Sequence, residues 1–68
     1  MTREQARETQ LELELKSAVD RADWLAAGKA SDELRMRHGW KYARMVELYG
    51  AERWEEIAQE IDEAEAAS

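Results

Sequence analysis

The sequence predicts an all-α fold, a small three-helix bundle in which two longer helices form a hairpin and a shorter third packs across them. Three observations support this. The 68 residues contain no proline and only three glycines, at positions 28, 39 and 50. Ala, Leu, Glu, Arg and Lys dominate the composition, and all are good helix formers. Apolar residues recur at spacings of three and four, the period of one helix face.

The first helix is expected from a cap at Thr2, with Gln5 completing a capping box, to Ala27. Leu11, Leu15, Ala18, Ala22 and Leu25 trace its buried stripe, and Gly28 suits the left-handed position after a helix end. Residues 1–10 lack the stripe and are expected to fray, as are residues 66–68. The second helix is expected from Asp32 to about Tyr49, capped by Ser31, with Asp32 and Glu33 favourably placed at its positive end. Gly39 lies inside it at a cost of ~1 kcal/mol, and continuity through it is favoured because no proline accompanies it. Leu34, Tyr42, Met45, Leu48 and Tyr49 then share one face, and Met36, Trp40 and Ala43 the opposite one. Gly50 ends this helix. Residues 52–65 form the third, with Trp54, Ile57, Ala58 and Ile61 as its stripe. The chain reads as one domain, residues 1–68.

A chain this short buries only about 60% of the surface its unfolded form exposes, so stability is marginal by default. It has no cysteine and one histidine, His38, which excludes disulfides and thiolate metal sites and leaves no metal or cofactor expected. A partner subunit is the remaining supplement, and a homodimer is favoured over a monomer. No stretch approaches the ~20 apolar residues that cross a bilayer, and the charged start is unlike a signal peptide, so a cytoplasmic protein is expected. The net charge of −6 is unevenly spread. In residues 51–68 only Arg53 opposes Glu52, Glu55, Glu56, Glu60, Asp62, Glu63 and Glu65. That acidic helix reads as a solvated face, or less simply as a mimic of nucleic-acid charge.

Two features point to binding. Leu13 and Trp24 lie off the stripe of the first helix, and on a continuous second helix Met36 and Trp40 point away from its core face. A bundle buries one stripe per helix, so these residues are surplus, and tryptophan is enriched at interface hot spots. Residues 35–44 also interleave Arg35, Arg37, Lys41 and Arg44 with Trp40 and Tyr42. Such a segment either pairs with the acidic helix or holds phosphates and stacks on bases. No phosphate-cradling glycine loop, metal-binding helix motif or nucleophile set is present, and no enzyme is expected. His38 has no evident role.

The expectation is therefore a non-catalytic protein–protein interaction module, an adaptor or inhibitor of a larger complex of the kind phages and mobile elements encode. Its contact set is Leu13, Trp24, Met36, Arg37, Trp40, Lys41 and Arg44. The alternative is a nucleic-acid-binding dimer that uses residues 35–44.

Residues 46–61 resemble part of a Myb/SANT repeat, through Tyr49, Gly50, Trp54, Ile57, Ala58 and Ile61. The resemblance implies a helix-turn-helix corner with Trp54 in the core. The family's recognition helix would follow Ile61, where this sequence has Asp62-Glu-Ala-Glu-Ala-Ala-Ser68, so DNA reading is not carried over.

Overall fold

A computed structural model describes all residues 1–68 as four helices without a strand: α1 Arg3–Asp20, α2 Trp24–His38, α3 Tyr42–Tyr49 and α4 Ala51–Ala67. The all-α helical bundle is as expected, but it has four helices, not three. The predicted helix boundaries differ in two regions, at the α1–α2 turn and at Gly39.

α1 starts where the capping box predicts. The Thr2 hydroxyl accepts from the Gln5 N–H at 3.1 Å, and the Gln5 side-chain carbonyl accepts from the Thr2 N–H at 2.9 Å. These two bonds satisfy donors that a helix start otherwise leaves open, and residues 3–10 are helical. Leu11, Leu15, Ala18 and Val19 are its buried face.

The first correction concerns the end of this helix, which is Asp20 and not Ala27. Ala22 turns into the left-handed region with φ 55°. Its N–H donates to Val19 at 3.1 Å, and the next N–H, of Asp23, donates to Ala18 at 2.8 Å. That crossed pair is a Schellman ending, built here on alanine where glycine is usual. The Asp23 carboxylate then caps α2 by accepting from the Ala26 N–H at 3.3 Å. Ala22 and Leu25, predicted to extend the buried stripe, are exposed.

Gly28 is therefore no helix terminator. It lies within α2, buried, where a Cβ would sit 3.0 Å from Ile61 Cγ2 and 3.4 Å from a Glu65 carboxylate oxygen. Its missing side chain lets α4 approach α2. Ser31, expected to cap a helix, is likewise buried inside α2.

The second correction falls at Gly39. Its φ of 69° closes α2 at His38, and the N–H groups of both Gly39 and Trp40 donate to the Leu34 carbonyl. A continuous helix would carry Trp40 outward, away from Leu34. The break turns it inward instead, to 5% exposure. The short α3 buries Met45, and Gly50 serves as both its end and the start of α4, with φ 84° and ψ 153°. Trp54 follows, buried and stacked on Tyr49 across the corner with ring centroids 5.9 Å apart. The helix-turn-helix corner implied by the Myb/SANT resemblance is present.

α1 and α2 make the most extensive helix pair, α4 packs on α2, and α3 packs on α4. Twelve apolar residues from all four helices and the α2–α3 link form one core, with Leu11, Leu15, Leu34, Met45 and Ile57 fully buried.

Candidate interaction surfaces

The basic and aromatic segment is largely consumed by the fold. The indole N–H of Trp40 donates to the Glu8 carboxylate on α1. The Arg44 guanidinium lies over the Trp40 ring at 4.9 Å, a cation–π distance. Arg44 also reaches Glu12 at 3.9 Å and Glu47 at 3.6 Å. Together these contacts tie the α2–α3 link onto α1, so Trp40 is a core residue and not surplus. Arg35 pairs with Asp32 one turn earlier. Of the predicted cations, Arg37 and Lys41 make no ion pair.

Of the other predicted apolar contacts, Leu13 and Met36 face outward. Leu13 stands between Leu11 and Leu15 in sequence and hence on the opposite side of α1, 62% exposed. Met36, two residues after the buried Leu34, is 86% exposed. Trp24 is half-buried and rests against the core at the start of α2. These side chains sit on different helices, and the structure does not gather them with Trp40 into one site.

Other exposed apolar side chains were missed by the sequence reading. Leu25 lies on α2, and Tyr42 and Leu48 on α3. Tyr42 and Leu48 were assigned to the core face of a continuous helix. They flank the buried Met45 on α3, whose eight residues bury only the centre of that face. Leu48, Tyr49 and Val19 floor a shallow groove of about 360 Å³ rimmed by Glu12, Lys16, Asp20 and Arg53. Half-burial holds the Tyr49 phenol above its usual pKa, and the nearby negative charges of Asp20 and Glu12 act in the same sense.

A second groove, of about 490 Å³, lies between the start of α1 and the end of α2. Arg3, Glu4, Arg7, Glu33, Arg37 and His38 line it. Arg7 grips Glu33 in a fork, Nε to one carboxylate oxygen at 3.0 Å and Nη2 to the other at 3.2 Å. That hydrogen bonding lowers the Glu33 pKa and raises that of Arg7, against a smaller opposing effect of desolvation. The outer face of α4 exposes Glu52, Glu55, Glu56, Glu60, Asp62 and Glu63, with Arg53 bonded to Glu56 at 3.3 Å. No group of three or more His or acidic side chains is placed to hold a metal ion, and no helix is long and apolar enough to cross a membrane.

Fold and surfaces define a small all-α bundle with a closed core and isolated apolar side chains on polar outer faces. No protein-family model, curated protein or solved structure matches the chain.

Proposed function

We propose that this protein is a non-catalytic cytoplasmic interaction module, an adaptor or inhibitor that docks on a larger protein through the outer faces of α1 and α2. The observation that carries this reading is the exposure of Leu13 and Met36 beside a core that closes without them. A single exposed leucine is ordinary on a protein surface. Here the exposed apolar set also includes Leu25 on α2 and Tyr42 and Leu48 on α3, in a chain of only 68 residues. Apolar side chains of this size contribute to binding when a partner removes them from water, at roughly 25 cal/mol per Å². Twelve buried residues close one core within a single chain, which favours a different protein as the partner over a second copy.

Nucleic acid is the weaker reading. A base-stacking platform needs accessible rings, and of the two in this segment Trp40 is buried beneath Arg44, which leaves Tyr42 alone exposed.

The test compares the wild-type chain with the double variant Leu13→Ser/Met36→Ser as baits in native lysate, quantified by mass spectrometry. The expected result is a protein retained by the wild type and depleted about tenfold or more by the variant, the loss of ~1.4 kcal/mol or more. Equal recovery by both baits, with both folded by circular dichroism, refutes the assignment of this surface. Sedimentation of the purified chain separately decides the homodimer.

A further inference from the structure

We infer that the groove between the start of α1 and the end of α2 binds a small, multiply charged phosphate-type anion such as pyrophosphate. Carboxylates outnumber Lys and Arg by 16 to 10 in this chain, so an arginine without a carboxylate is unusual on its surface. Arg7, Arg21, Arg35, Arg44 and Arg53 each have one. The remaining arginines, Arg3 and Arg37, have none within ion-pair distance, and both line this groove.

Neither Arg3 nor Arg37 forms an ion pair with a groove carboxylate, although Arg37 and His38 add to the positive field that lowers the Glu33 pKa. Glu33 has both oxygens engaged by the Arg7 fork, which leaves Glu4 as the one uncommitted acid against Arg3 and Arg37. His38 adds a ring nitrogen donor to the same wall. No residue of the acidic α4 lines the groove.

The lining also defines the ligand. Guanidinium groups match phosphate oxygens in paired, planar geometry, which an ammonium does not. None of the six lining residues is apolar, so nothing there would hold a base, a ring or an acyl chain. The ligand is recognised by its charge and oxygens, and the volume admits a diphosphate with part of its hydration. This site is independent of the protein-docking reading, because neither Leu13 nor Met36 lines it.

The test is a titration of the isotope-labelled, full-length protein with sodium pyrophosphate at low salt, followed by amide nitrogen–proton spectra. The expected result is saturable shifts at Arg3, Arg37 and His38 with a dissociation constant of ~1 mM or tighter. Arg37→Gln and Arg3→Gln should each weaken binding about tenfold. Lys16→Gln, which removes the same charge from the other groove, should leave it unchanged. Arg3 and Arg37 are exposed and unpaired, so the variants are expected to fold, as unchanged spectra elsewhere in the chain would verify. Absence of saturation, or equal weakening by Lys16→Gln, overturns the proposal, since the effect would then be one of overall charge. Adenosine monophosphate binding as tightly as pyrophosphate overturns it too, since recognition would then rest on the base.

Discussion

At the scale of single residues, Ala22 and Gly28 occupy each other's expected roles. Ala22 holds a left-handed conformation that costs an ordinary residue about 1–2 kcal/mol. Ala22→Gly should relieve it and raise stability by roughly 0.5–1 kcal/mol after the greater unfolded-state entropy of glycine is subtracted. Chemical denaturation measures this directly. At Gly28 the expected sign is reversed. An exposed helical glycine gains ~1 kcal/mol on replacement by alanine, but here the new methyl would press on Ile61 at 3.0 Å. Gly28→Ala should therefore give no gain, and Gly28→Leu should lose about 1–3 kcal/mol or more through overpacking. A higher melting temperature for Gly28→Leu would mean that α2 and α4 do not meet there. Trp40→Ala should cost about 3–5 kcal/mol, the range for emptying a buried aromatic site, and it also strips Glu8 of its indole donor. It is thus a probe of folding, and Leu13 and Met36 are the positions that probe binding.

At the scale of helices, the stripes Leu11–Leu15–Ala18 and Trp54–Ile57–Ile61 were legible because each is long, regular and backed by a polar opposite face. The breaks were not. Glycine in a sequence announces either a positive φ or a missing side chain, and nothing local distinguishes Gly39, which ends a helix, from Gly28, which admits a neighbour. Ala22 carries no signal at all. The nearby clue was Asp23, a good N-cap that the run of helix formers around it obscured. Loss of phase at Gly39 explains the misplacement of Trp40, whereas Tyr42 and Leu48 keep their phase with the buried Met45 and are exposed because the short α3 buries only the centre of its face. Among the contacts between helices, the Arg7–Glu33 fork has a defined pH signature. Its hydrogen bonds lower the folded-state pKa of Glu33. The stabilisation is therefore complete above the unfolded value near pH 4.3 and is lost as pH falls through the lower folded one. Arg7 stays charged throughout that range. The melting-temperature gap between wild type and Glu33→Gln should be constant from pH 7 to about 5 and close below about pH 4. A gap that persists unchanged at pH 3 would show that the fork contributes nothing.

At the scale of the molecule, the asymmetry of charge was legible by counting, but the pairing of charges was not. Counting placed a cationic segment at residues 35–44, whereas the fold neutralises Arg35 and Arg44 and sets Arg37, near the end of α2, in one groove with Arg3, at the start of α1. The surplus of apolar side chains holds for Leu13 and Met36, whereas Trp40 lies in the core and Trp24 rests half-buried against it. Leu13→Ser and Met36→Ser should accordingly change stability by less than about 0.5 kcal/mol, which thermal melts can check. The hairpin has a kinetic consequence. α1 and α2 are joined by only Arg21 to Asp23 yet form the largest helix contact, so much of the core assembles from residues close in sequence. Low contact order of this kind goes with folding in microseconds to milliseconds. The rate-limiting step should then have the hairpin formed and α4 still loose, so that Leu15→Ala slows refolding while Ile57→Ala chiefly hastens unfolding.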